Sequence, residues 1–245
     1  MFRAQELEEA GFADLEVALD MVLRSASGRE SRRSLRLRQL EAADVDDAGD
    51  RLLVVFEEPA AIRGTALLTH AQKRREDDQW LYLPALKRVK KIASRNRSGP
   101  FLGSEFSFED LTSQEIEKYT YRWVGEESCD IELRGGPAAT EICDVVERRP
   151  GPELVSGYLR QLFWIDRKAR RPVRVDYFNQ GDRLTKSLRA SDFYFYQSRW
   201  WRPHLLRMRN HITGKTTDLI WADYNFGNGF APERDFSAAA LRRVR

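Results

Sequence analysis

The chain has 245 residues, room for one large all-β domain or two small ones. Hydrophobic residues make up 42% and aromatics 11%, enough for a real core. The 32% of charged residues and the mean hydropathy of -0.59 require a large wet surface, such as a sheet solvated on its outer face. A net charge of only +3, from 41 basic and 38 acidic residues, argues against nucleic acid as a partner, because its binders concentrate basic charge on one face.

No segment approaches the roughly 20 apolar residues of a membrane-spanning helix. The opening MFRAQELEEAGF has neither a basic start nor an apolar stretch and is not expected to act as a secretory signal. Residues 3–10 are expected to form a short amphipathic piece. From there strand periodicity takes over. Leu15, Val17, Leu19, Met21 and Leu23 alternate with Glu16, Ala18, Asp20, Val22 and Arg24, a period of two and not of 3.6. Ser27-Gly28 turns the chain, and Leu35 and Leu37 alternate with Ser34, Arg36 and Arg38, completing a long hairpin.

Further strands are predicted over 51–57, stopped by Pro59, and over 64–70, 78–83 and 88–94. Later ones fall at 118–124, 129–133, 141–147, 158–166, 173–178, 184–190, 193–199, 205–211 and 217–224. Turn signals such as Gly151-Pro152, Asn179-Gln180-Gly181-Asp182 and Gly227-Asn228-Gly229 separate many of them. The pattern predicts one antiparallel meander and a single domain over 1–245. Helices are few. Ser107 ahead of Glu109-Asp110, and Ser113 ahead of Glu115, suit the caps of short helices. The tail over 237–244 suits a last turn or two.

Catalytic chemistry is not legible. His70, His204 and His211 lie far apart, with no accompanying metal-ligand spacing. Glu76, Asp77 and Asp78 read as a solvated turn. Ser104 and Ser107 lie near Glu105, Glu109 and Asp110 but outside any nucleophile elbow. No phosphate loop is present, and no cofactor is expected. Cys129 and Cys143 flank a Gly135-Gly136-Pro137 turn. They either bridge, closing a loop of about 15 residues worth about 3 kcal/mol, or remain two half-buried thiols.

Aromatic residues are more informative. Trp80 and Tyr82 share one face of their strand, as do Tyr119, Tyr121 and Trp123, Phe163 and Ile165, and Phe193 and Phe195. Side by side they would form one broad apolar face. That face is either an ordinary core or, with few helices to cover it, the wall of a ligand cavity. The basic run Lys87, Arg88, Lys90, Lys91, Arg95 and Arg97 is either a solvated strand face or a rim that meets anionic headgroups or an acidic partner.

The segments Phe56-Glu57-Glu58-Pro59, Arg63-Gly64-Thr65-Ala66 and Asp77-Asp78-Gln79-Trp80-Leu81-Tyr82-Leu83-Pro84-Ala85-Leu86-Lys87-Arg88-Val89 resemble the outer membrane lipoprotein-sorting protein family. Ser98-Gly99-Pro100-Phe101-Leu102-Gly103-Ser104-Glu105-Phe106 and Glu109-Asp110-Leu111 extend the resemblance. Met21-Val22-Leu23-Arg24, Ser27-Gly28 and Gly214-Lys215-Thr216-Thr217 carry it into the flanks. That family is similar in fold to LolA and LolB. The resemblance implies a strongly curved antiparallel sheet, an incomplete β-barrel whose open side is plugged by a few short helices. It also implies a periplasmic location, an apolar cavity for the acyl chains of a lipid or lipoprotein, and an inner-membrane efflux-type transporter as partner.

The reading is therefore a non-enzymatic carrier with no metal and only peripheral membrane contact. Trp80, Tyr82, Phe101, Phe106, Trp123, Phe163, Phe193 and Phe195 are its expected cavity residues, and Arg88, Lys90 and Lys91 its headgroup or partner contacts. Residues 98–106 are the expected gate, hinged at Gly99 and Gly103. The alternatives are a non-catalytic periplasmic adaptor of a membrane transporter, in which the apolar face is simply core, and a lipid hydrolase, for which no nucleophile–base pair is evident.

Overall fold

The computed structural model describes residues 11–42, 47–112 and 115–243. The amphipathic piece expected at 3–10, the cap expected of Ser113 and the end of the tail at Val244 lie outside the described residues. The rest forms a single 14-stranded antiparallel sheet that does not close into a barrel. Its strands are β1 (Asp14–Arg24), β2 (Glu30–Leu40), β3 (Ala48–Glu58), β4 (Ala66–Gln72), β5 (Asp78–Leu83), β6 (Arg88–Lys91) and β7 (Tyr119–Glu132). Then follow β8 (Ala138–Pro150), β9 (Tyr158–Asp166), β10 (Pro172–Asn179), β11 (Leu184–Tyr196), β12 (Trp200–Asn210), β13 (Thr216–Trp221) and the short β14 (Asn225–Phe226).

Two adjustments to the sequence reading have local causes. The strands expected at 118–124 and 129–133 are one strand, β7, bent by a register shift between Trp123 and Gly125. Those expected at 184–190 and 193–199 are also one, β11, kinked where Asp192 takes a left-handed φ of 55°. A bulge or kink interrupts the period-two pattern and reads in sequence as a strand end.

The meander is double. The sheet order is β6-β5-β4-β3-β2-β1-β13-β12-β11-β10-β9-β8-β7, with β14 paired to β1. Two meanders are thus joined at β1 and β13, where Met21 faces Leu219. Consecutive strands β6 and β7 become the two outer edges of the sheet, so the connection over 92–118 has to travel from one edge to the other.

Register selects the inner face. Val17, Leu37, Val54, Leu67 and Leu81 are cross-strand neighbours in succession through β1 to β5. Val146, Phe163, Val175, Leu188 and Met208 form the matching row through β8 to β12. Both rows join a single apolar cluster, with Leu188 packed at its margin. Residues from both halves of the sheet can meet in one cluster only if the sheet curves around it. This is the curved, half-open architecture that the resemblance implies.

The outer face carries two smaller clusters. Leu53, Val55, Ala66 and Leu68 are covered by the C-terminal segment through Phe236 and Leu241, both fully buried. His70 Nε2 donates to Phe236 O at 2.6 Å. Asp14 accepts from the backbone N–H groups of Asn228, Gly229 and Phe230 at 2.6, 2.9 and 3.1 Å, which fixes the turn leading into that segment. On the other half, Ile131, Val145, Trp164 and Phe193 pack with Cys129 and Cys143. The two cysteines are disulfide-bonded, with Cα atoms 5.8 Å apart, which decides between the alternatives left open by the sequence.

Candidate functional site

Residues 92–112 of the connection over 92–118 lie against the inner face. They insert Phe101 and Phe106, 1% and 3% exposed, into the inner cluster. The Phe101 ring lies 5.6 Å from Phe56 on β3 and 5.5 Å from Phe108. Short helical turns punctuate the segment at Ser94–Asn96, Phe108–Asp110 and Ile116–Lys118. At the second of these Ser107 N–H donates to Asp110 Oδ2 at 2.7 Å, the cap expected from sequence.

Polar ties hold this plug on several sides. Arg33 Nη1 donates to Leu102 O at 2.6 Å, and Gln79 Nε2 to Phe108 O at 3.0 Å. Glu105 N–H donates to Thr217 Oγ1 at 3.0 Å, and Asn210 Nδ2 to Glu105 Oε2 at 2.6 Å. Tyr158 Oη donates to Asp110 Oδ2 at 3.1 Å. In the expected gate, Gly103 has a left-handed φ of 82° beside Leu102 at 48°, a tight turn that suits glycine. Gly99 has no such conformation, but a Cβ there would meet Asn96 O at 3.1 Å, a close approach that also suits glycine.

Acids lie within the plug and at the β4–β5 turn. Burial pushes the Glu109 carboxyl above its ordinary value, and the neighbouring Asp110 charge adds to this. Ser156 Oγ and Gly157 N–H donate to Glu109 at 2.8 and 3.1 Å and partly offset the cost. Asp77 is likewise raised by burial, although Lys118 pairs with it. The acidic turn read as solvated is in fact neutralised residue by residue: Glu76 pairs with Arg97, Asp77 with Lys118, and Asp78 with Lys91 at 2.6 Å.

The eight expected cavity residues do not converge. Phe101, Phe106 and Phe163 lie in the inner cluster. Trp80 and Tyr82 lie on the opposite face, with the C-terminal segment, because Leu81 between them takes the inner position opposite Leu67. Phe193 is in the outer cluster beside the disulfide. Trp123 is 58% exposed, with its Nε1 donating to Asp144 Oδ1 at 3.0 Å. Phe195 is 40% exposed and stacks on Trp201 at 4.7 Å. Alternation shows which residues share a face; only pairing across the sheet shows which face is inside.

The basic run also divides. Arg88 and Lys90 are exposed on the edge strand β6, and Lys91 Nζ lies 5.7 Å from the Trp80 ring. Arg97 is not on the rim: it is 6% exposed and donates to Asp77 O at 3.2 Å and Ser94 Oγ at 2.9 Å.

Open clefts among the described residues include two on the sheet. One of about 570 Å³ lies between the tip of the β7–β8 hairpin and β12–β13, with Gly135, His204, Arg207 and Asp218 in its lining. Asp218 there binds Arg24 at 2.5 Å and Arg207 through both oxygens at 2.8 Å. The second, of about 270 Å³, lies where β10 and β11 part, and its Arg171, Trp201 and Arg202 gave no signal in the sequence. Among the described residues no group of three or more His, Cys, Asp or Glu converges as a metal site.

A protein-family model described as an uncharacterized protein matches residues 48–243. No curated protein matches the chain. Among solved structures, the chain is 38% identical to a Vibrio parahaemolyticus domain described as an outer membrane lipoprotein-sorting protein, covering 99% of this chain and 97% of that one with a TM-score of 0.88. A DUF1329 family protein from Desulfovibrio piger superposes with a TM-score of 0.86 at 24% identity, over 98% and 95% of the two chains. A LolA superfamily protein from Nitrosomonas europaea shares the fold with a TM-score of 0.71 at 18% identity, over 97% of each chain.

Proposed function

The chain belongs to the LolA-like outer membrane lipoprotein-sorting protein family, and from that premise we propose that it is a periplasmic carrier that takes acyl chains of a lipid or lipoprotein against the inner face of its sheet. The observation that carries this reading is the plug: a curved sheet whose apolar face is covered by a mid-chain segment seated there through Phe101 and Phe106. An acyl chain would replace those rings as the plug lifts. Burial stabilises by about 0.8 kcal/mol per methylene, so about 14 methylenes supply roughly 11 kcal/mol before losses, against which the plug must be displaced.

The Cys129–Cys143 disulfide supports an oxidising compartment and therefore the periplasmic assignment. In this proposal 1–245 acts as one non-enzymatic domain with no cofactor. Arg88, Lys90 and Lys91 on the β6 edge meet anionic headgroups or an inner-membrane efflux-type transporter, and membrane contact is peripheral. Native mass spectrometry of gently purified protein tests the reading. Adducts of lipid mass, or uptake of a fluorescent fatty acid by stripped protein, are expected; empty protein that takes up none overturns it.

One observation favours a second reading. Phe101 and Phe106 are buried within the inner cluster, as core residues are. In that case the chain is a non-catalytic periplasmic adaptor of a membrane transporter, and it binds its partner with no lipid present.

A further inference from the structure

The ladder between β10 and β11 runs from Phe178–Leu184 to Arg174–Arg189 and stops there. Beyond it β11 continues to Tyr196, and Leu133 from the β7–β8 hairpin bridges to Phe193. The two strands part, and the cleft of about 270 Å³ opens between them. Its lining reaches Val175 and Leu206 on the inner side and Phe193 and Trp201 on the outer side. Its charged lining residues are Arg171, Arg174 and Arg202, and no acid lines it.

These arginines differ in their partners. Arg174 is neutralised by Asp176 through bonds of 3.0 and 2.5 Å. Arg171 is 6% exposed, with its guanidinium carbon 4.4 Å from the Phe193 ring centre and 4.1 Å from that of Trp201. Its Nε pairs with Asp166 Oδ2 at 3.2 Å, while Nη1 has no hydrogen-bond partner among the described residues. Burial pushes this guanidinium below its ordinary value against the pull of Asp166. Asp166 engages this buried guanidinium through Nε alone, so the unmet Nη1 favours a further oxyanion, and the apolar walls favour a short alkyl tail.

We propose that the parting between β10 and β11 binds a small anionic amphiphile, an oxyanion on a short alkyl chain, with Arg171 as its charge partner. The site touches the inner cluster through Val175 and Leu206, but no residue of the plug lines it, and it does not require the chain to carry lipoprotein.

Isothermal titration of the intact protein tests this with four probes: octanoate, octyl phosphate, octan-1-ol and inorganic phosphate. Octanoate or octyl phosphate is expected to bind at least about tenfold more tightly than octan-1-ol, with inorganic phosphate alone not binding. Arg171→Gln is expected to lose about tenfold or more for the better anion, while Arg171→Lys keeps most of it. Ala190→Leu, which narrows the cleft and leaves the arginine in place, is expected to weaken both amphiphiles, and it decides the matter if Arg171→Gln fails to fold. Equal binding of octan-1-ol and octanoate, unchanged affinity in Arg171→Gln, or no binding of either anion overturns the proposal. Long-chain adducts in native mass spectrometry together with silent titrations would remove this site and leave the carrier reading standing.

Discussion

Phe101 and Phe56 hold the mid-chain plug to the sheet: their ring centres are 5.6 Å apart at an interplanar angle of 38°, and each is 1% exposed. They lie on a loop and on β3, so their contact joins an irregular connection to the sheet. Phe101→Ala is expected to lower unfolding stability by about 3–5 kcal/mol. Urea titration measures it; a loss under about 1 kcal/mol would mean that the plug is not part of the core.

The β7–β8 hairpin depends on its disulfide. Cys129 and Cys143 are separated by 14 in sequence, and Cys143 is fully buried. Replacing both by serine is expected to cost about 2–4 kcal/mol. Unfolding curves with and without a thiol reductant give the measurement, and the double variant is expected to be insensitive to the reductant.

Asp218 ties three strands together. Burial alone would raise its carboxyl, but hydrogen bonds from Arg207 and Arg24 outweigh this and hold it below the ordinary 3.8. Its folded value is depressed, so the contribution is complete above the ordinary value and is lost as pH falls through the folded one. Asp218→Asn is expected to cost about 1–3 kcal/mol at neutral pH, less than a fully buried pair because Arg207 is half-exposed and regains water. The difference from the unmodified protein is expected to be constant above about pH 5 and to shrink at lower pH, as denaturant titrations across pH would show.

Glu109 has the opposite sign. Its folded value is raised above the ordinary 4.5, first by burial and then by Asp110. The folded state therefore holds this proton more tightly. That stabilisation is complete below the ordinary value and disappears as pH rises through the folded one. Glu109→Gln, which keeps an acceptor for Gly157 N–H, is expected to flatten this decline and gain in Tm relative to the unmodified protein from pH 5 to 8. A constant Tm difference across that range would refute the assignment.

The proposed headgroup contacts lie on the β6 edge. Arg88→Glu with Lys90→Glu is expected to abolish sedimentation with anionic vesicles and leave neutral vesicles unchanged, since each basic residue near such a surface contributes about 1 kcal/mol. Unaltered sedimentation would take headgroup contact away from this strand.

Much of the architecture was already in the residues. Period-two runs located β1 to β5, β8 to β10 and β12, because alternation follows directly from strand geometry. Composition and turn residues fixed an all-β chain with few helices, and Ser107 with Asp110 marked a cap that does form. Phe101, Phe106 and Phe163, expected to line a cavity, lie in the inner cluster. Arg88 and Lys90, read as either a solvated strand face or a rim, are exposed on β6.

Tertiary structure alone decided the rest. Trp80 and Tyr82 lie outside because Val54, Leu67 and Leu81 pair in register and take the inner side. A shift of one residue would exchange the two sets, and no local pattern sets that choice. Arg97 reads as one more rim cation until the connection folds back and buries it beside Glu76. Arg171 gave no sequence signal because its setting is made by a ladder that stops and a hairpin that arrives from elsewhere in the chain. The sequence by itself determined the strands and their apolar faces, since these follow from local geometry. Which face became the interior, what plugs it and where the sheet parts were decided by long-range pairing, which places β6 and β7 at opposite edges and sends the chain across the inside.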